Sequence, residues 1–129
     1  MVLQRAPFRK NFDAVVDVDG KVGGQYTVIQ DADDDLDSGN YTLLVKTGTY
    51  AAGFNVTTNN AYIFVEPGTV IQSAITLSGT GVTLVLGAQC DVQGYIELSG
   101  ANCSLLCLGG CDIDGLIASG ADCLIDGGG

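Results

Sequence analysis

Ala74-Ile-Thr-Leu-Ser-Gly-Thr-Gly-Val82 recurs at a spacing of 21 as Tyr95-Ile-Glu-Leu-Ser-Gly-Ala-Asn-Cys103. Cys90-Asp-Val-Gln-Gly94 recurs at the same spacing as Cys111-Asp-Ile-Asp-Gly115. A third copy begins at Leu116-Ile117-Ala118, drops one residue, and resumes as Ser119-Gly-Ala-Asp-Cys123. Self-similarity at a fixed period of about 20 to 50 residues is the sequence signature of a solenoid, in which each repeat forms one coil.

The same period extends towards the N-terminus as far as Tyr41. Leu43-Leu-Val45 falls on Ile63-Phe-Val65 at a spacing of 20, and Ile63 precedes Leu84 at a spacing of 21. Strand-like runs separated by turn residues allow three short strands in each coil. One coil would comprise Val82–Leu86, Cys90–Gln93 and Tyr95–Leu98. The repeat over residues 41–129 therefore predicts an all-β fold, a parallel β-helix with about four coils of about 21 residues each.

Alternation along each strand assigns its side chains to the inside or the outside of a coil. The residues predicted to face inward are Ala61, Ile63, Val65, Thr69, Ile71, Ile75, Leu77, Val82, Leu84, Leu86, Cys90, Val92, Ile96, Leu98, Cys103, Leu105, Cys107, Cys111, Ile113 and Ile117. At the turns, Gly81, Asn102 and Asp122 stand in one column. Gly, Asn and Asp tolerate the left-handed region, so this column is predicted to have positive φ.

All five cysteines lie between Cys90 and Cys123, and we predict that they are mostly core residues. A free cysteine behaves as a small hydrophobe and is often buried. Cys90 would lie directly under Cys111, near enough to cross-link, although a reduced pair is the expectation. The chain has no CxxC motif and no histidine, so a zinc site would need thiolate or carboxylate ligands only. We therefore predict neither a metal site nor a cofactor.

Residues 1–40 do not follow the repeat. Residues 1–24 are expected to form an irregular arm, and residues 25–40 a helix. Thr27 is the predicted N-cap, and the predicted apolar stripe consists of Ile29, Ala32 and Leu36.

Two acidic stretches in this part of the chain are considered as cation sites. Asp17-Val-Asp-Gly20 has the start of a calcium loop but lacks the later ligands. Five carboxylates in the helix are better explained by a solvated helix face than by a cation site; they are Asp31, Asp33, Asp34, Asp35 and Asp37.

The net charge of −10 argues against anionic partners. Nucleic-acid binding needs a basic face, and anionic membrane surfaces attract basic segments. The chain shows no signal peptide and no run near the roughly 18 apolar residues of a membrane span. We expect synthesis in a cytoplasm, with no nucleic-acid partner and no membrane insertion. Four of the five Lys and Arg lie at or before Lys21, so the arm either docks on an acidic partner or is a solvated tail.

Two sets of outward residues are candidates for function. Asp91, Asp112 and Asp114 form an acidic strip, and paired carboxylates of this kind act in glycoside hydrolysis. Like charges on neighbouring exposed strands are also common solvated features, so these residues are weak catalytic candidates. The second set is apolar and consists of Phe64, Val85 and Leu106 with Leu108 beside them. An apolar stripe on the outside of a solenoid indicates a face buried against another subunit, most simply around a threefold axis, or else covered by the N-terminal arm.

Gly24-Gln-Tyr-Thr-Val-Ile-Gln-Asp-Ala32, the helix after it, and Leu43-Leu-Val-Lys-Thr-Gly-Thr-Tyr50 resemble the start of the pectate-lyase-like right-handed β-helix superfamily. That family typically opens with a Tyr/Phe-Thr-x-Ile-Gln-x-Ala helix that caps the solenoid, and its first coil commonly ends in Gly-Thr-Tyr. The motif is specific for the fold and weak for function. The chain departs from the family in its acidic helix, and it has no Arg beyond Arg9, so lyase chemistry finds no candidate here.

Within that superfamily, the order of arm, cap and coils is most similar to bacteriophage tailspike and tail-fibre proteins. The resemblance implies a homotrimer in the virion tail that binds host surface polysaccharide. It also implies an N-terminal segment that attaches to other virion proteins, here Arg5, Phe8, Arg9, Lys10 and Phe12. The alternatives are a polysaccharide-degrading β-helix enzyme, a hydrolase or lyase with its active site in further coils, and a capsid decoration protein. Residues 124–129 stop partway through a coil, so we expect either further coils or a partner at that end.

Overall fold

The computed structural model describes residues 12–19, 26–36 and 40–126. It confirms the predicted architecture, a mostly β, parallel solenoid of about 4 turns with a repeat of about 21 residues and one short helix. The elements in chain order are β1 (Ala14–Val16), α1 (Ile29–Asp35), β2 (Thr42–Val45), β3 (Thr49–Tyr50), β4 (Phe54–Val56), β5 (Tyr62–Val65), β6 (Val70–Ile71), β7 (Ile75–Leu77), β8 (Thr83–Leu86), β9 (Asp91–Leu98), β10 (Ser104–Cys107), β11 (Asp112–Ala118) and β12 (Leu124–Asp126).

Successive coils stack strand on equivalent strand to form two parallel sheets. The first sheet has the order β1-β2-β5-β8-β10-β12, and the second β3-β6-β9-β7-β4 with β11 on β9. β1 pairs with β2, so residues 14–16 already belong to the solenoid although no period reveals them. In one coil the predicted second and third strands join into the single strand β9.

The inward columns form a continuous apolar core. In the first sheet, Leu43, Ile63, Leu84 and Leu105 follow one another in register, and each is no more than 1% exposed. Aliphatic side chains fill each layer because a period of two on parallel strands points the same positions inward in every coil. Of the residues predicted to face inward, all up to Cys107 are buried, and Cys111 and Ile113 pack against the core from the last coil.

The register of the last coil corrects one prediction. The pairing shifts between Ile113 and Gly115, after which Leu116 pairs with Ile96 and Ile117 with Glu97. The missing residue therefore lies before Gly115 and not after Ala118. Leu116 takes the inward position and Ile117 the outward one, so the prediction that Ile117 lines the third face is wrong. A one-residue shift moves every later side chain of a strand to the opposite face.

The turn column is confirmed. Gly81, Asn102 and Asp122 have φ of 72°, 60° and 59°, and Asn40 and Asn60 extend the column with 59° and 58°. The backbone N–H of each member before Asp122 donates to a carbonyl of the next coil, for example from Gly81 to Ala101 at 2.9 Å and from Asn102 to Ala121 at 2.8 Å. These corners thus hold the coils together as the strands do.

Helix α1 covers the first coil through two polar contacts. The Gln30 side-chain amide accepts the N–H of Asn55 at 2.7 Å and donates to the Asn55 carbonyl at 3.1 Å. It therefore pairs with the edge strand β4 as a neighbouring strand would. Asp33 is 1% exposed and accepts a hydrogen bond from the Tyr41 hydroxyl at 2.6 Å. These bonds, with buried Ile29 and Ala32, fix the cap on the solenoid.

Two details of the predicted helix are wrong. The N-cap is Val28 in extended conformation without a side-chain cap bond, and not Thr27. The acidic face is not wholly solvated, because Asp33 points into the protein, where Tyr41 offers a donor. Asp37 lies outside the described residues. No helix in the described part of the chain is both long enough and apolar enough to cross a membrane.

Candidate subunit interface

Five outward apolar residues form one column along the first sheet, hereafter the apolar column. Leu44, Phe64, Val85 and Leu106 are direct partners on successive strands, and Val15 on β1 pairs with Leu44. At about 4.8 Å between strands, these five rungs span about 19 Å. Of these five residues, only Phe64, Val85 and Leu106 were predicted from the sequence. Leu44 was detectable because it stands one repeat before Phe64, whereas Val15 lies outside the repeat.

Side chains in the apolar column shield one another. Leu44, Phe64 and Leu106 are half-buried, and Val85, which lies between Phe64 and Leu106, is only 6% exposed. Neighbours about 4.8 Å apart on parallel strands are in van der Waals contact, so the column is a ridge of packed hydrocarbon. Asp126 stands at its end, paired with Leu106.

The flanking outward positions are more polar. On one side Lys46 and Glu66 form an ion pair at 3.2 Å, with side chains 29% and 25% exposed. Leu108 belongs to this flanking column and not to the apolar column. It stands two residues after Leu106, just as Glu66 stands two residues after Phe64, and its N–H donates to the Leu86 carbonyl. It is 56% exposed. On the other side lies Tyr62, which is 40% exposed.

A disulfide between Cys107 and Cys111 shapes the turn that carries Leu108. The bond closes a loop of Leu108, Gly109 and Gly110, whose two glycines have φ of 146° and 63°. The expectation of reduced thiols is therefore wrong for these two residues. The suggested partner of Cys111 is also wrong, because Cys111 bonds across the turn and not to Cys90 in the coil below. The sequence signal for this disulfide was the spacing of Cys107 and Cys111, which stand four residues apart on either side of Gly109-Gly110.

The three free cysteines, Cys90, Cys103 and Cys123, donate thiol hydrogen bonds to backbone carbonyls at the turns. Cys90 and Cys103 are buried, and their thiols donate to the carbonyls of Glu66 at 3.3 Å and Gly79 at 3.2 Å. Cys123, which is half-buried, donates to Gly100 at 3.4 Å. Burial raises the pKa of both Cys90 and Cys103, which disfavours the reactive thiolate. These thiols are core groups that satisfy turn carbonyls.

The catalytic candidates are brought together only in part. Asp91 and Asp112 are cross-strand partners on β9 and β11, and Gln93 donates to Asp91 at 3.1 Å. Asp114 is exposed at the register shift. A cavity of about 320 Å³ lies elsewhere, beside the cap, and among the described residues its lining includes Val28, Ile29 and Tyr50 but no carboxylate. In the described residues no group of three or more His, Cys, Asp or Glu side chains is arranged to hold a metal ion.

The arm candidates are mostly outside the described residues. This applies to Arg5, Phe8, Arg9 and Lys10, whereas Phe12 is half-buried just before β1. In the stretch compared with a calcium loop, Asp17 is 5% exposed and its carboxyl accepts the N–H of Asp19 at 3.0 Å. It therefore stabilises a local turn.

Comparisons with models of known families, with curated proteins and with solved structures found no match. The geometry of the chain itself therefore carries the functional argument.

Proposed function

We propose that this protein is a structural, host-receptor-binding component of a phage tail that assembles as a homotrimer through the apolar column. The observation that carries the proposal is the column itself, a straight ridge of Leu44, Phe64, Val85 and Leu106 on the outer side of a parallel sheet. An outward ridge of this length is more than scattered surface hydrophobicity.

Charge supports association along this ridge. Identical chains of net charge −10 repel each other, so their contact should lie where carboxylates are fewest. The column carries no charge between Val15 and Leu106. A narrow ridge suits a threefold axis, where each subunit contributes one edge, and the resemblance to trimeric tailspikes favours that symmetry over a dimer.

In this proposal the other surfaces serve attachment and recognition. The segment of Arg5, Phe8, Arg9, Lys10 and Phe12 holds the trimer to the virion, and the sides of the solenoid bind host surface polysaccharide.

The register of Asp91 over Asp112 favours a second candidate, a glycan depolymerase. If Asp112→Asn cleaves glycan as well as the parent protein, a catalytic role for this pair is excluded.

The test is the molar mass in solution, measured by light scattering across a dilution series. Phe64→Glu removes a half-buried aromatic side chain from each subunit and places three carboxylates near the axis. Loss of about 1 kcal/mol per Phe, before any charge repulsion, weakens the trimer by at least about a hundredfold. We expect trimeric parent protein and monomeric Phe64→Glu.

Tyr62→Glu is the matched control. Tyr62 is also aromatic and outward on β5, two residues from Phe64, but it lies in the neighbouring column. We expect Tyr62→Glu to remain trimeric, or to weaken the trimer far less than Phe64→Glu. Circular dichroism of both variants checks that the solenoid is intact. A parent protein that stays monomeric at all concentrations would overturn the proposal.

A further inference from the structure

Two of the free cysteines, Cys103 and Cys123, are stacked directly on one another in neighbouring coils. The residues that follow them, Ser104 and Leu124, are paired in register, and the Leu124 N–H donates to the Cys103 carbonyl at 2.9 Å. Neighbouring strands lie about 4.8 Å apart, so the two cysteine Cα atoms have about that separation. Because disulfide-bonded cysteines usually have Cα atoms roughly 4.4–6.8 Å apart, the backbone already has the spacing of a cross-link.

The two sulfur atoms also point in the same direction. The Cys103 thiol donates to the Gly79 carbonyl at 3.2 Å, and the Cys123 thiol donates to the Gly100 carbonyl at 3.4 Å. Gly79 and Gly100 are equivalent residues of successive repeats. Each sulfur therefore lies against the same turn carbonyl of its own neighbouring coil, and one coil spacing separates the two. Burial, and to a smaller extent the neighbouring Cys123, raises the pKa of Cys103.

Neither cysteine lies within a strand. Cys103 immediately precedes β10 and Cys123 immediately precedes β12, and both follow residues of the turn column with positive φ, Asn102 and Asp122. A disulfide brings the two Cβ atoms to about 3.8 Å, which is about 1 Å closer than the strand spacing. The turns can supply this movement because each cysteine is joined to its strand at one end only.

We propose that Cys103 and Cys123 form an oxidisable pair, and that a small disulfide compound converts it into a disulfide that fastens neighbouring coils together. The thiolate of half-buried Cys123 attacks one sulfur of the compound, whose other half leaves as a thiolate and takes up the proton that Cys123 lost. The Cys103 thiolate then attacks the Cys123 sulfur, and the second half leaves as a thiol. Two protein thiols are oxidised to one disulfide, and the compound is reduced to two thiols.

Proximity allows buried Cys103 to act in the second step. Burial disfavours its thiolate towards reagents in solution, but the Cys123 sulfur is held beside it. Groups held in contact react at an effective concentration far above that of a dissolved reagent. The pair therefore stays open where thiols are kept reduced and closes in oxidising surroundings. This property goes beyond the assembly proposed above and does not depend on it.

A second stacked pair, Cys90 and Cys111, provides an internal comparison. Asp91 is in register with Asp112, and the Asp112 N–H donates to the Cys90 carbonyl at 2.9 Å, so Cys90 lies directly under Cys111. The Cys111 sulfur is already bonded to Cys107. Cys90 therefore has no thiol above it, and the oxidised chain should keep one free thiol, that of Cys90.

The test treats the full chain, with the Cys107–Cys111 bond intact, with hydroxyethyl disulfide. N-ethylmaleimide then blocks the remaining thiols, and mass spectrometry of pepsin fragments maps the bonds. We expect a bond between Cys103 and Cys123. The proposal is overturned if Cys123 does not react, if the reaction stops at the mixed disulfide, or if Cys103 bonds to another cysteine.

Two variants separate the roles of the buried thiols. In Cys103→Val the core stays filled, because Val82 occupies the equivalent position of the preceding coil. This variant should stop at the mixed disulfide on Cys123, whereas Cys90→Ser should form the Cys103–Cys123 bond as the parent protein does. Circular dichroism of both variants checks that the solenoid is intact.

The disulfide should also slow local opening of the coil that contains β12. It would link positions 20 residues apart (123 − 103 = 20), and such a closed loop restricts local unfolding. Hydrogen exchange of the Leu124 and Ile125 amides should slow at least about tenfold when the parent protein is oxidised, and it should not change in Cys103→Val. Unchanged exchange in the oxidised parent protein would overturn the proposed fastening of the coils.

Discussion

The hydrogen bond that the Tyr41 hydroxyl donates to Asp33 should be one of the main contacts that hold helix α1 on the solenoid. Asp33 and Tyr41 are 1% and 3% exposed, so water cannot replace either partner. The bond is 2.6 Å long, whereas the contacts of Asp33 with the N–H and hydroxyl of Thr57 are 3.4 and 3.5 Å. Burial and this bond also raise the pKa of Tyr41, which keeps the hydroxyl protonated as the donor.

Tyr41→Phe removes the donor and leaves the buried carboxyl with only the long contacts. A lost hydrogen bond to a buried acidic group costs about 1.5–3 kcal/mol in the free energy of unfolding. With a urea m-value of about 2 kcal/mol/M, the unfolding midpoint should fall by about 1 M. Urea titration followed by circular dichroism measures it, and hydrogen exchange of the α1 amides locates the loss in the cap.

A double-mutant cycle makes this prediction specific. Asp33→Ala and Tyr41→Phe each orphan a buried group, so together they should cost about 2 kcal/mol less than the sum of the single changes. Tyr62→Phe, at an exposed position, controls for loss of a hydroxyl and should change stability by less than about 0.5 kcal/mol. If Tyr41→Phe were as mild as Tyr62→Phe, or the cycle showed no coupling, this bond would not hold the cap.

Three further outcomes follow from the core and the turns. Burial raises the pKa of Tyr50 from 10.0 to about 12. Its contribution to stability should therefore be complete below pH 10 and be lost between pH 10 and 12, because the tyrosine ionises first in the unfolded chain, and Tyr50→Phe should make the alkaline fall in stability smaller. Gly100→Ala should destabilise by several kcal/mol in urea titration, because a Cβ there would overlap the Gly79 carbonyl, whereas Gly115→Ala meets only an ordinary contact and should be tolerated. A thiol reagent should label Cys123 much faster than the other two free thiols, and equal rates would contradict the buried positions of those two.

Much of the fold was predictable because the repeat superimposes equivalent positions. Leu84 and Leu105 could be assigned to the core from their spacing, and Asn102 and Asp122 to positive φ from residue type. The apolar column was likewise detectable from Phe64. These inferences work because a solenoid repeats one local environment, so a single pattern is tested several times along the chain.

The remaining features depend on contacts between residues that share no period. Asp33 belongs to an acidic run typical of a solvated helix, and only the position of Tyr41 explains its burial. The repeat predicted that Ile117 faces inward, but the one-residue register shift after Ile113 places it on the outer face.

The sequence by itself determined a parallel solenoid, its core columns and its turn column, because strand period and residue type act locally and recur in each coil. The tertiary structure alone decided the closure of one end by Gln30, the partner of Cys111, and the extension of the apolar column to Val15. These features arise where segments distant in sequence, or displaced from the repeat, meet in space. For that reason the stacking of the coils can be predicted from the sequence, whereas the polar contacts of the cap, the disulfide and the full length of the apolar column depend on the tertiary structure.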